Sequence, residues 1–466
     1  MLFSSIVFLY YFLPVTLLLY FIAPKKFRNS VLLISSLVFY GWGEPKYLLL
    51  MTASIIIGYI SGLMIEAFHT RRAKKLVMVA SVTISLGFLA WFKYTNFFID
   101  NFNRVFGLSI PFLKIALPIG ISFYTFQILS YTVDVYRGEV PAQRNLINLA
   151  AYISLFPQLI AGPIVRYSQV EHELREREYS FDNFAAGMRR FVLGLGKKIL
   201  IANLLGELCD AFKASGDKSV LFYWLYAAAF ALHIYFDFSG YSDMAIGLGR
   251  ILGFHFPENF NYPFISRSAT EFWRRWHISL GSWFRDYVYI PLGGNRVKKS
   301  RWLLNILTVW LLTGFWHGAA WNFVTWGLFF AVLLIIEKLF LLKYLEKSRI
   351  FSRIYVILAL LISFVIFNAA NMGEALSYIG AMFGAGDIPL VSKELSYYFK
   401  DYAVVLVIAL IGATPLVKNL VLKIRLNRAA EIVTDCLEPL VLVGLMLVMT
   451  AFLVDGSFNP FLYFRF

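Results

Sequence analysis

Residues Thr313 to Gly327 read TGFWHGAAWNFVTWG, and they set a single histidine, His317, inside an apolar run that extends from Trp302 to Ile336. A run of that length belongs in a lipid bilayer, where a titratable side chain is costly enough to be a functional candidate by default. The plainer alternative is a core histidine hydrogen-bonded to a carbonyl. Roughly 35 residues separate Arg301 from Lys338, whereas two full crossings need about 40. With basic residues at both ends, the run must double back as a short or interrupted hairpin. Gly314, Gly318 and the polar Asn322 mark the interruption, so His317 is predicted to sit recessed near a bend.

The rest of the chain has the same character. Of 466 residues, 59% are hydrophobic and 15% charged, with a mean hydropathy of +0.67; soluble domains carry about a quarter charged residues. Apolar runs long enough to cross a membrane recur along the whole length, which predicts an all-α, polytopic integral membrane protein and excludes a barrel of short alternating strands. The first run, Leu2 to Ala23, lacks a basic leader and a small-residue cleavage site and reads as a retained span. The net charge of +15 would point to nucleic acid in a soluble protein. Here the basic residues cluster between apolar runs, so the positive-inside bias accounts for them and no nucleic-acid partner is expected. Cys209 and Cys436 stand in no metal or redox spacing.

The basic clusters set a topology. Lys25, Lys26 and Arg28 follow the first run and no basic residue precedes it, which puts the N-terminus outside. Runs near 31–42, 47–65 and 76–98 follow, with an external connection from Asp100 to Lys114. Leu117 to Gly138, LPIGISFYTFQILSYTVDVYRG, carries Ser122, Gln127, Ser130 and Thr132 too often for a lipid-facing helix and should pack inside the bundle. Leu146 to Val165, with two prolines and a glycine, fits a re-entrant or broken helix, which survives at membrane depth only when buried in protein or lining a cavity. Residues 166–190 read as a polar cytoplasmic segment. Runs from Phe191 and Val220 flank an external loop at 210–218, and 253–301, rich in Trp, Phe and Arg, reads as interfacial amphipathic helix. The sum is roughly twelve crossings with both ends outside, the tail DGSFNPFLYFRF (455–466) included.

Two histidines carry the candidate chemistry. His277 and His317 lie in Trp-rich segments 40 residues apart, and a neutral imidazole is the usual general base near pH 7. No Gly-x-Ser-x-Gly elbow and no cysteine beside a histidine offers a nucleophile. Direct transfer from a thioester donor to a hydroxyl needs only a base, positioning and a passage. His233 and Asp237 share one helical face, but a metal site needs more ligands, and no metal is expected.

Taken together, LPIGISFYTFQILSYTVDVYRG, FPQLIAGPIVR, HIYFDFSGYSDMAIG, NFNYPF, EFWRRWHISLGSWFRDYVYIPLGGNR and TGFWHGAAWNFVTWG resemble the membrane-bound O-acyltransferases, in the bacterial branch that acetylates alginate or transfers D-alanine to teichoic acid. The resemblance spans nearly the whole chain, residues 1–466, as a single domain. It implies a ring of helices around a thin centre, where an extracytoplasmic funnel meets a cytoplasmic donor pocket. The family's essential histidine matches His317, and its second position, often asparagine or histidine, matches His277. The implied donor is a cytoplasmic thioester, acetyl-CoA or an acyl carrier protein. The implied acceptor is a cell-surface polysaccharide, reached with an extracytoplasmic partner of the SGNH-esterase type, in a bacterial cytoplasmic (inner) membrane. FLYFRF resembles the aromatic motif that a separate peptide supplies in the D-alanyl system, with Tyr463 matching its acyl-relay tyrosine; an aromatic interfacial anchor is the alternative. The expected activity is O-acetyl transfer by way of a tyrosyl ester. Its rivals are D-alanyl transfer and a transporter without chemistry.

Overall fold

The computed structural model describes residues 1–456 and Phe461. Tyr463 and most of the 455–466 motif lie outside the described residues. Every regular element among the described residues is helical. Five helices are long and apolar enough to cross a membrane, Pro45–Ala67, Arg71–Phe106, Val220–Ile251, Arg349–Asn368 and Arg428–Asp455, and a sixth arises if the pair Lys393–Asp401 and Ala403–Gly412, bent by 60°, counts as one span. The described residues therefore form a multi-pass, all-helical membrane protein. The expected runs change in length. The first is helical only over Phe8–Ile22, because Ser5 turns the chain before it and Pro24 stops it. Arg71–Phe106 runs well past the expected 76–98 into the supposed external connection, where Asn96 and Asn103 bond the backbone of Leu113 and Ile110.

The chain divides into two compact units, one of residues 1–191 and 242–257, the other of residues 192–241 and 258–466. The first unit is built around Ile121–Arg137. Of the polar residues expected inside the bundle, Gln127, Ser130 and Thr132 are buried and Ser122 is half-buried; Asp134 on the same helix is buried too. The helix Leu48–Ala67 meets it through a face of small residues, Ser54, Gly58 and Gly62; a Cβ on Gly58 would lie 3.1 Å from Ile128, and one on Gly62 would overlap the Tyr131 ring. The expected break in 146–165 is present. Leu146–Ser154 starts on an Asn145 cap and ends at Leu155, and the single turn Phe156–Leu159 is tied by the Phe156 N–H, which donates to Ser36 Oγ at 3.1 Å.

The second unit holds both histidines. The hairpin predicted around His317 consists of Lys299–His317 and Trp321–Ile336, with Gly318 to Ala320 as the break. Glycine decides how closely its arms approach: a Cβ on Gly314 would overlap the Phe323 carbonyl, and one on Gly327 the Trp310 carbonyl. The segment read as interfacial amphipathic helix differs from expectation. It forms two short helices, Ala269–Arg275 and Ile278–Phe284, and a wide turn at Arg285–Tyr289. Phe272, Trp276, Trp283 and Phe284 are buried in protein, since Trp and Phe beside Arg suit a protein core edged by charge as well as a membrane surface. A buried carboxylate fixes the first of these helices: Glu337, fully buried, accepts from the N–H groups of Ala269 (2.5 Å) and Thr270 (2.9 Å) and from the Thr270 hydroxyl (2.6 Å). These are donors that a helix N-terminus otherwise leaves unmet.

Candidate active site

His317 is the last residue of Lys299–His317 and is buried. Its imidazole lies in a cage of rings: the centroids of Trp316 and Trp326 are 5.0 Å away and that of Phe367 is 5.3 Å away. Asn322, just past the bend, holds one wall of the cage. Its Nδ2 donates to the carbonyls of Ile366, Phe367 and Ala369 (3.4, 3.4 and 3.0 Å), the open end of Arg349–Asn368.

His277 sits between the two short helices with a left-handed backbone, φ 45°, a conformation in which histidine is several-fold enriched among the uncommon non-glycine cases. The irregular piece 258–262 holds it there: Ile278 N–H donates to Asn259 O (3.0 Å) and Asn261 N–H to Arg275 O (2.9 Å). The ring is 1% exposed, with Phe238 at 4.7 Å and Trp316 at 6.0 Å between centroids. Trp316 thus stands next to both histidines. Burial pushes the His277 pKa from its ordinary 6.5 down to about 3, so the ring is neutral at physiological pH.

A pocket of about 520 Å³ opens on His277, within the size range of small-molecule sites. Its walls include Thr270, Trp310 and Thr313, and two exposed arginines, Arg274 and Arg285, also line it. Apolar walls edged by cations suit an acyl group carried on an anionic donor. His233 and Asp237 do not form a site together: His233 Nδ1 lies 2.6 Å from Ala202 O, and Asp237 is ion-paired with Lys198 at 2.6 Å. No group of three metal-ligating side chains occurs among the described residues.

Asn259, Ser279 and Glu337 were not singled out in the sequence, and Asn322 was marked only as part of the hairpin's interruption. Asn259 opens the NFNYPF motif and Asn322 lies in the hairpin stretch, so both were within view. Nothing in spacing pairs Asn259 with His277, or Glu337 with Thr270.

Comparison with known proteins gives the family. Residues 68–372 match the membrane-bound O-acyltransferase family. The chain is 45% identical to the probable alginate O-acetylase AlgI of Pseudomonas aeruginosa, over 83% of this chain and 75% of that protein. It is 39% identical to the AlgI of Pseudomonas putida over the full length of both. More distantly, it is 34% identical to the peptidoglycan O-acetyltransferase of Helicobacter pylori, over 85% of this chain and 83% of that protein. The teichoic acid D-alanyltransferase of Bacillus subtilis, 32% identical, aligns with only 48% of this chain and 59% of its own length. The chain is an acyltransferase, and it belongs to the membrane-bound O-acyltransferase family.

Proposed function

We propose that this enzyme moves an acetyl group from cytoplasmic acetyl-CoA toward an extracytoplasmic polysaccharide, with alginate the first acceptor to test. The observation that carries the reading is the pocket with His277 in its wall and two arginines at its edge, one tryptophan ring away from His317. The arginines suit the phosphates of a coenzyme thioester, and the apolar walls suit its arm.

In this reading His317 is the base. It takes the proton of the attacking hydroxyl as oxygen adds to the thioester carbonyl. The carbon–sulfur bond then breaks, and the proton passes to the departing thiolate. The attacking group in the first half-reaction is the phenol of Tyr463. The resulting tyrosyl ester passes its acetyl outward to a glycan hydroxyl with an SGNH-type partner. Both units act as one catalytic domain, 1–466, with 455–466 as its relay motif. The wider arrangement, roughly twelve crossings around a funnel in the inner membrane with both termini outside, belongs to the same proposal. The likeness to the alginate and peptidoglycan acetylating relatives over most of the chain, against 48% for the D-alanyl relative, favours acetyl over D-alanyl.

Purified enzyme incubated with acetyl-CoA tests the reading. Thioester consumption together with a 42 Da gain on the C-terminal peptide, lost in Tyr463→Phe, is the expected result. Consumption with no modified Tyr463 under turnover would remove the relay, and no consumption would remove acetyl-CoA as donor.

A further inference from the structure

The hydrogen bonds around His277 determine which of its nitrogens carries the proton. The side-chain oxygen of Asn259 meets three groups: Ser279 N (3.2 Å), Ser279 Oγ (2.8 Å) and His277 Nδ1 (3.1 Å). A backbone N–H can only donate, so the Asn259 atom facing Ser279 N must be the carbonyl oxygen and not the amide nitrogen. That oxygen only accepts, so His277 Nδ1 must be the protonated nitrogen. The neutral ring then has its lone pair on Nε2. His277 Nε2 is buried and has no hydrogen-bond partner among the described residues, in a ring that lines the 520 Å³ pocket. A buried acceptor without a partner is costly, so one that lines a pocket calls for an explanation, which a hydrogen-bond donor on a ligand would supply.

We propose that Asn259 is a positioning residue that locks His277 in the Nδ1–H tautomer, so that Nε2 accepts a hydrogen bond from an N–H of the donor's arm. This rests on the reading of the pocket as the thioester site. The ligand chemistry follows from the acceptor. A pantetheine-type arm carries two amide N–H groups between its anionic end and its thioester, and an amide that leaves water for an apolar pocket must find an acceptor. With its low proton affinity, His277 is better suited to accepting a hydrogen bond than to removing a proton, which leaves base chemistry to His317. The backbone supports the same division: the left-handed His277 is pinned through Ile278 N–H to Asn259 O, so one residue fixes both the position and the tautomer of the ring.

The test is a double-mutant cycle on the full-length enzyme, with acetyl-CoA as the varied substrate and thioester consumption as the readout. Asn259→Leu is expected to raise KM about tenfold while kcat falls less than about threefold, the pattern of lost binding rather than lost chemistry. Asn259→Asp, which keeps an acceptor for all three donors, is expected to restore KM to within about twofold of the parent. In a His277→Gln background, Asn259→Leu is expected to add no further rise in KM, since no imidazole remains to be oriented. Thermal melts in detergent accompany each variant. Unchanged KM in Asn259→Leu, additive effects in the cycle, or a failure of Asn259→Asp to rescue despite an intact melt would each overturn the proposal. If Asn259→Leu does not fold, the Asn259→Asp result and the nitrogen shifts of labelled His277 decide, a protonated Nε2 contradicting it. Absence of thioester consumption in the parent enzyme would instead sink the functional reading itself.

Discussion

The carboxylate of Glu337 takes both the backbone N–H of Thr270, at 2.9 Å, and its hydroxyl, at 2.6 Å. With the Ala269 N–H at 2.5 Å, these bonds tie the end of the His317 hairpin to the start of the helix that leads into His277. Glu337→Ala strands buried donors and should cost about 3 kcal/mol. Glu337→Gln, which keeps one carbonyl oxygen, should cost less. Thermal unfolding in detergent checks the order, and equal melting points for both variants would refute it.

Glycine positions separate structural from tolerant sites. Gly314→Ala and Gly327→Ala each place a methyl group on a backbone carbonyl of the facing arm, and should destabilise by about 1–3 kcal/mol and lower turnover by spreading the hairpin beneath His317. Gly87→Ala, in the helix Arg71–Phe106 with nothing within 4 Å of the new carbon, should be neutral or stabilising by up to about 1 kcal/mol. Melting curves of the three variants, side by side, are the check.

Much of this was legible in the sequence because length and glycine spacing constrain an apolar hairpin strongly. The run from Trp302 to Ile336 is too short for two full crossings, and Gly314 and Gly318 stand where the arms must cross and part. The burial of Gln127, Ser130 and Thr132 was legible for a similar reason, since recurrent polar groups on an apolar helix need protein around them. The supports of the site were not. Asn259 and His277 meet across 18 residues and Glu337 and Thr270 across 67, through contacts that no local period records. The segment carrying Phe272 and Trp276 misled because its composition is the same for an interfacial helix and for a buried aromatic wall.

The depressed pKa of His277 makes an acid-side prediction. Its folded pKa of about 3 lies below the ordinary 6.5, so between those values the unfolded chain binds the extra proton. Stability therefore falls as pH drops from about 6.5 toward 3. His277→Asn removes that contribution. Its melting temperature should decline less steeply than the parent's between about pH 6.5 and 5, and parallel slopes would contradict the assignment.

A second buried device bears on the tail. Lys198 and Asp237, 0% and 2% exposed, form an ion pair at 2.6 Å, and the ring of Phe461 lies 4.6 Å from the Lys198 ammonium and 4.7 Å from the Tyr241 ring. Phe461 belongs to the 455–466 motif proposed as the relay. Phe461→Ala should lower glycan acetylation several-fold while Phe461→Trp, which preserves the ring over the cation, retains it. Lys198→Met should be worse for stability than Lys198→Met combined with Asp237→Leu, because a buried carboxylate is left without its lysine in the first. Acetylation assays and melts on the four variants test both statements.

His317 is the proposed base for acetyl transfer, and one measurement addresses that role directly. Membranes containing His317→Ala, at the parent's expression level and melting temperature, are given labelled acetyl-CoA, and label on the polysaccharide and free coenzyme are both counted. Loss of both signals by about a hundredfold or more is predicted. Transfer within about twofold of the parent, from a folded His317→Ala enzyme, would rule out His317 as the base.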